Sequence, residues 1–381
     1  MKYTIYADDR IVMSLDAGGT NFVFSAIKGG KQLIEPIALP SYSQDKEKCL
    51  KTMINGFKKV IREIAPQKPA AISFAFPGPA DYKNGIIGDL PNFPSFKGGV
   101  AIGPMLEGIF NIPTLINNDG DLFAYGEAVQ GFLPYINKTL EEHGISKRYS
   151  NLLGITLGTG FGAGVVINGQ ICLGDNSGAG EIWLSRNFHN TKTFAEEGVS
   201  IRAVQRVYCE LTRCEDLLSP KRIYEIAKGK RKGNQEAAIK AFETMGAVIG
   251  EALANSITII DAPVVIGGGI AGAYEFIVPA IVKHLNSTIE DYSGNTYSRL
   301  VSTATYIDDA ESYKSFVHDD SRTVDVPFSD EKVVYNMNKK IPIGLSRLGT
   351  SEAVWLGAYA LALDYLDKKN LYEPSLLNAD M

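Results

Sequence analysis

The chain has 381 residues, 45% of them apolar and 21% charged, with a net charge of −5. That balance is ordinary for a folded enzyme and argues against a nucleic-acid or membrane-surface role. The length exceeds what one hydrophobic core serves, so two domains are expected. No apolar run reaches the ~18 residues of a membrane helix. The N-terminal MKYTIYADDR lacks an apolar signal core, so a cytoplasmic protein is expected. The four cysteines, Cys49, Cys172, Cys209 and Cys214, are scattered and read as reduced, mostly buried thiols.

Ile11 to Leu15 is a short apolar run, followed directly by Asp16-Ala-Gly-Gly-Thr-Asn21 and a second apolar run, Phe22 to Ile27, that closes at Gly29-Gly30. Lys46 to Ile64 has helical spacing, with Leu50, Met53, Ile54, Phe57, Val60, Ile61 and Ile64 on one face. A strand over Ala70 to Phe76 runs into Pro77-Gly78-Pro79. A loop with Pro91, Asn92, Phe93 and Pro94 follows, stiffened by its prolines and suited to presenting Asn92; a surface turn is the plainer alternative.

Pro104 to Phe110 reads as a helix, Pro113 to Ile116 as a strand and Leu122 to Val129 as another helix. Asp119 therefore lies where a strand ends and a helix begins, the edge at which open α/β sheets collect ligands. It could cap the helix or serve as a general base. Leu133 to Ser150 reads as a polar insertion.

Asn151 to Gln170 repeats the plan of the first stretch: strand, glycine turn at Gly158-Thr159-Gly160, strand, and an Asn-Gly hairpin. Glycines crowded inside a strand pair suggest close approach to the main chain, with phosphate the usual reason. A tight turn beside a bulge is the alternative. Two copies of one plan suggest a duplicated α/β unit whose glycine turns face each other.

Glu181 and Glu196 flank a polar loop, and by default each is a solvated or helix-first-turn carboxylate. Asn234 to Asp261 is a long helix. Ala262 to Ile266 is a strand running into Gly267-Gly268-Gly269, which invites a nucleotide. Residues 286–340 turn polar and read as an inserted hairpin or lobe, with strands at Arg299 to Tyr306 and Lys332 to Tyr335. An apolar helix from Glu352 to Asp367 looks buried.

The ordered set resembles the sugar kinases of the actin-like ATPase superfamily, and more narrowly the ROK family (repressors, open reading frames, kinases), as in bacterial glucokinases. The resemblance implies an α/β, actin-like (ribonuclease H-like) fold of two duplicated domains around a cleft. The first would take residues 1–120 plus 353–381 and the second residues 121–352, with the insertion at about 286–340. It also implies a cytoplasmic ATP-dependent hexose kinase, a homodimer that binds neither nucleic acid nor membrane.

Carried over by the resemblance, Asp16, Gly18, Gly19, Thr20 and Asn21 form the first phosphate loop, with Asp16 near Mg²⁺. Gly158, Thr159 and Gly160 form the second, and Gly267, Gly268 and Gly269 pass beneath the adenosine. Asp119 is the base that takes the proton of the sugar hydroxyl, by default the 6-hydroxyl. Asn92, Asn118, Glu181 and Glu196 bind the sugar's other hydroxyls. The family's frequent histidine position is Leu184 here, and its zinc cysteine before the Glu-x-x-x-Ser pattern is Phe194, so no zinc is expected. A regulatory or non-catalytic sugar-binding protein of the family is the alternative, although only ten residues precede Ile11, where a repressor would carry its helix-turn-helix.

Overall fold

The apolar runs on either side of the first glycine turn form β1 (Ile11–Ala17) and β2 (Asn21–Lys28), paired antiparallel. The computed structural model describes residues 5–78, 80–90, 92–214, 216–336 and 339–372. Contacts divide the chain into two units: residues 1–130 with 169–179 and 351–381, and residues 131–168 with 180–350.

The first unit continues with β3 (Lys31–Gln32), β4 (Ile37–Pro40), α1 (Lys46–Ile64), β5 (Pro69–Ala75), β6 (Ile86–Ile87), β7 (Val100–Ala101), α2 (Ile102–Phe110), β8 (Thr114–Asn117) and α3 (Asp119–Val129). Its main sheet runs β3-β2-β1-β5-β8, with β4 alongside β2. Strands β1, β5 and β8 are parallel. Helix α1 starts where Asp45 accepts from the Lys48 N–H and buries Cys49, Met53, Phe57, Val60 and Ile64, the face its spacing predicts. The core is rich in phenylalanine: Phe22, Phe24, Phe57, Phe74, Phe76, Phe93 and Phe96 are all fully buried. The unit is completed by β11 (Gln170–Ile171) and α10 (Thr350–Tyr372). Helix α10 packs against α3, where an added Cβ at Gly357 would strike the Leu122 carbonyl and one at Gly126 the Ala353 carbonyl. The Tyr359 hydroxyl accepts from the Gly29 N–H and donates to the Arg10 carbonyl, which fixes the helix to the base of the first hairpin.

The second unit begins with α4 (Phe132–Glu142), so the stretch expected as a polar insertion is helical, with Phe132, Leu133, Ile136 and Leu140 buried. Then follow β9 (Leu152–Leu157) and β10 (Phe161–Ile167), α5 (Ile201–Thr212), α6 (Pro220–Ala227), α7 (Gln235–Ile260), β12 (Val264–Gly267) and α8 (Tyr274–Leu285). The remaining elements are β13 (Thr288–Glu290), β14 (Thr296–Ser298), β15 (Thr303–Tyr306), α9 (Ala310–Phe316), β16 (Ser321–Asp325), β17 (Lys332–Asn336) and β18 (Lys340–Leu345). The sheet runs β10-β9-β12-β18-β15, with β9, β12, β18 and β15 parallel. This repeats the first unit's order of antiparallel hairpin followed by parallel strands. Strands β9 and β12 are apolar almost throughout because parallel sheets are covered on both faces.

Two findings differ from expectation. Strand β15 lies within residues 286–340 yet is a regular edge strand of this sheet, whereas β13–β14 and β16–β17 are separate two-stranded hairpins. Cys209 and Cys214 are joined in a disulfide rather than reduced. The left-handed Arg213 turns the chain back at the end of α5 and brings their Cα atoms to 4.9 Å, within disulfide span. Among the described residues, no helix is long and apolar enough to cross a membrane.

Candidate active site

In the first unit the pairing register sets Asp16, Ala75 and Asn117 in one row across β1, β5 and β8. This is the C-terminal edge of the parallel strands, where ligands of open α/β sheets bind. Chain order places Asn118 and Asp119 one step beyond. Asn118 is the N-cap of α3, its Oδ1 accepting from the Gly120 N–H at 2.7 Å. Its amide nitrogen donates to the Tyr82 hydroxyl at 3.4 Å, and that hydroxyl donates to the Phe76 carbonyl. The capping role considered for Asp119 therefore falls to Asn118.

Asp119 is the first residue of the helix, and its Oδ1 accepts from the Gly120 N–H at 2.8 Å. Its side chain reaches solvent, yet surrounding protein strips much of its hydration and raises its pKa above the ordinary carboxylate value. The Gly120 N–H opposes that shift and the charge of Asp16 adds to it. A carboxyl shifted towards neutrality by lost hydration and a like charge is suited to accepting a proton from a bound hydroxyl.

The first glycine turn lies beside this edge. An added Cβ at Gly19 would sit 3.7 Å from the Cβ and carbonyl oxygen of Asn92, which brings the turn and the Asn92 loop together. One at Gly18 would lie 2.8 Å from the Asn21 carbonyl oxygen. Thr20 and Asn21 are exposed. The Ser41 hydroxyl donates to the Gly19 carbonyl, and the Ser41 N–H donates to the Thr20 carbonyl. The Asn92 loop owes its position to Phe93, whose buried ring lies 4.9 Å from that of Phe76 and 5.4 Å from that of Phe96. Pro79 and Pro91, two prolines expected to stiffen the region, lie outside the described residues.

In the second unit, Gly158 and Gly269 line one cavity of about 420 Å³. Ile201, Tyr224, Phe242 and Ile270 supply apolar walls, and Ser219 and Lys221 contribute polar groups. The three glycines after β12 differ in purpose. Gly267 ends the strand, and its N–H side of the turn is fastened where Gly268 donates to the Thr350 hydroxyl at 2.7 Å. Gly268 has φ +92° and sits against the Leu157 backbone, so only glycine fits. A Cβ at Gly269, or at Gly158, would meet no protein atom within 4 Å. Those two positions are open towards the cavity.

The second glycine turn is braced by Glu196. Its Oε2 accepts from the Phe161 N–H at 3.0 Å, and a Cβ at Gly160 would come within 2.6 Å of the same oxygen. Its other oxygen pairs with Arg202 at 2.8 Å. Thr159 is exposed at the tip. Glu181 accepts from the indole N–H of Trp183. The loop between the two glutamates closes on itself: Trp183 meets Phe194 edge to face at 5.6 Å, and the Ala195 N–H donates to the Ser185 carbonyl at 2.6 Å. Leu184, at the family's histidine position, is exposed.

Among the described residues, no group of three or more His, Cys, Asp or Glu could hold a metal ion. A magnesium ion carried on nucleotide phosphates needs only one or two carboxylates, and the exposed Asp16, close enough to raise Asp119, meets that requirement. The cavity's side-chain walls were not anticipated from sequence. Ser219-Pro220, a cap followed by proline at a helix's first turn, was the available signal for α6.

Residues 12–312 match the profile of the ROK family. The chain belongs to the ROK family. Its structure is similar to that of a glucokinase from Parabacteroides distasonis ATCC 8503, 51% identical, with a TM-score of 0.88 over 96% of this chain and 100% of that one. Among ROK relatives it is 26% identical to the N-acetylgalactosamine kinase AgaK of Shewanella sp. (strain ANA-3), covering 73% of this chain and 87% of that protein. It is also 25% identical to the xylose repressor of Caldicellulosiruptor bescii, covering 64% of this chain and 62% of that protein.

Proposed function

We propose that this ATP-dependent sugar kinase of the ROK family transfers the γ-phosphoryl group of ATP to the 6-hydroxyl of a hexose, with Asp119 as general base. The observation that carries the proposal is the place of Asp119, one step beyond the row of Asp16, Ala75 and Asn117 at the C-terminal edge of the parallel strands, and its upward-shifted pKa accords with it. A hydroxyl is a weak nucleophile at neutral pH, and a positioned carboxylate removes its proton as the oxygen attacks.

The first unit supplies the base, the turn Gly18-Gly19-Thr20-Asn21 for phosphate contacts, and Asn92 and Asn118 for the sugar. The second unit supplies the cavity lined by Gly158 and Gly269, whose volume and whose Tyr224 and Phe242 walls suit a purine. We assign Thr159 and Gly160 to phosphate contacts, and Gly267 and Gly268, with Gly269, to the adenosine. Magnesium bound with ATP, held by Asp16, would offset phosphate charge. Glu181 and Glu196 contact further sugar hydroxyls, Glu196 through lone pairs beyond those given to Phe161 and Arg202. The parallel to a glucokinase at 51% identity supports glucose as the first sugar to try. Leu184 supports including N-acetylated hexoses, since it offers no hydrogen bond.

ADP release should be measured over a panel of hexoses and N-acetylhexosamines, and the phosphorylated carbon of the product assigned by NMR. Turnover with at least one sugar, product phosphorylated at C6 and loss of turnover in Asp119→Asn are the expected results. Turnover retained in Asp119→Asn overturns the assignment of the base. Sugar binding without turnover in the wild type would favour the regulatory reading, for which the repressor relative is the precedent.

A further inference from the structure

Helix α1 of the first unit changes character along its length. Near its start the lysines are balanced by neighbours, Lys48 by Asp45 at 3.2 Å and Lys51 by Glu47. Further along, Lys58, Lys59 and Arg62 stand exposed. Among the described residues no carboxylate comes within ion-pair distance of these three, and none lines the pocket they surround. Like charges one turn apart, as at 58 and 62, repel along a helix face. An anion at this place would relieve them.

The pocket, of about 320 Å³, lies between α1 and the edge strand β4. Pro40 and Tyr42 give it an apolar wall, and Thr52 and Asn55 bring a hydroxyl and an amide. Thr52, Asn55, Lys59 and Arg62 recur at helical spacing, so they share one face of α1. Tyr42 is half exposed, with φ +50°, a conformation strained for an aromatic residue. The chain around it is fastened at four points. Ser41 bonds the carbonyls of Gly19 and Thr20, the Asp45 N–H donates to the Tyr42 carbonyl at 2.8 Å, and the Ser95 hydroxyl donates to the Ser43 carbonyl at 2.7 Å. A strained ring held this firmly, yet left in solvent, is preorganised to meet a ligand.

We infer that this pocket binds a phosphorylated sugar, outside the site proposed for catalysis. A phosphate monoester carries about −1.5 to −2 charge at neutral pH, which three cations without counter-charge suit. The tyrosine ring beside proline takes the C–H face of a sugar, while Thr52 and Asn55 bond its hydroxyls. Free phosphate and unphosphorylated sugar would each use only part of the pocket. The inference does not depend on the kinase reading.

Lysine acylation by a limiting amine-reactive reagent, read by mass spectrometry on the full chain, tests it. Glucose 6-phosphate is the probe, with inorganic phosphate and glucose as its two halves. The sugar phosphate is expected to protect Lys58 and Lys59 at least about fivefold relative to Lys232, an exposed lysine of the second unit. Each half alone should need at least about tenfold higher concentration for the same protection. Arg62→Gln should raise the protection midpoint about fivefold or more for both phosphate-bearing probes. Tyr42→Asn, which suits the left-handed backbone and so preserves folding, should raise it for glucose 6-phosphate alone. Absent protection, protection as strong with inorganic phosphate or glucose alone, or a midpoint that either variant leaves unmoved overturns the inference.

Discussion

The two units are built on the same plan, an antiparallel hairpin with a glycine turn leading a parallel sheet, yet the two turns are held by different means. In the first, Ser41 bonds the carbonyls of Gly19 and Thr20, and the Asn92 loop lies alongside. In the second, a carboxylate does the holding: Glu196 receives the Phe161 N–H, and Arg202 balances its charge. The second turn also opens on an apolar cavity, while the first sits beside two carboxylates, Asp16 and Asp119. A duplicated framework therefore fixes where a turn lies, and the neighbouring side chains give one turn a pair of carboxylates and the other an open apolar cavity.

The sharpest way to break this contrast is to remove the proposed base, Asp119, from the first edge. Asp119→Asn should lower kcat by ~10²–10⁴-fold in the sugar-dependent assay. The same variant should melt at a higher temperature than the wild type at neutral pH, because the protein's surroundings disfavour the carboxylate charge. That gain should fade as pH falls through the raised folded-state value towards about 3.9, where Asp119 is protonated whether folded or unfolded. A melting point lower than wild type at pH 7 would show that the charge is welcome there.

Next in size is a division within the triple glycine of the second unit. Gly268→Ala should cost about 2–4 kcal/mol by chemical denaturation, from its φ and its contact with the Leu157 backbone. Gly269→Ala should leave stability nearly unchanged. Gly158→Val should also fold normally but raise KM for ATP about tenfold, because the side chain would enter the cavity rather than meet protein. Normal ATP kinetics in Gly158→Val would leave the stretch as a turn alone. The smallest effect expected is that of Glu196→Gln, which keeps an acceptor for Phe161 but loses the charge opposite Arg202, and should change kcat/KM only several-fold. Equal losses for Glu196→Gln and Glu196→Ala would show that the charge, which both variants remove, matters rather than the acceptor offered to the Phe161 N–H.

Much of this arrangement was legible because it depends on local pattern. The apolar face of α1, the strand ends at Asn117 and Gly267 and both glycine hairpins follow from spacing and glycine alone. What stayed hidden depends on partners distant in sequence. Nothing near Asn92 says that its loop is anchored by Phe93 stacking among other phenylalanines. Glu196 reads as a solvated or helix-first-turn carboxylate, and nothing local says that the Phe161 N–H points at it. The walls Tyr224 and Phe242 come from two helices that each look like ordinary amphipathic segments. Strand β18 was missed because Pro342 interrupts it. The proline is tolerated because β12 pairs with β18 only from Ile343 onward. The Cys209–Cys214 bridge depends on the left-handed Arg213, which no spacing rule announces.

The pair of bonds from Ser41 has a kinetic meaning as well. A phosphate loop that must become ordered at each encounter slows capture and weakens affinity by the entropy it loses. The first turn here is already tied at two successive carbonyls to the residue that follows β4, so its shape is set once, when the chain folds. Nucleotide should therefore associate with this turn without a conformational lag. Ser41→Ala should leave the final affinity only modestly lower and introduce a slow phase into binding that the wild type lacks.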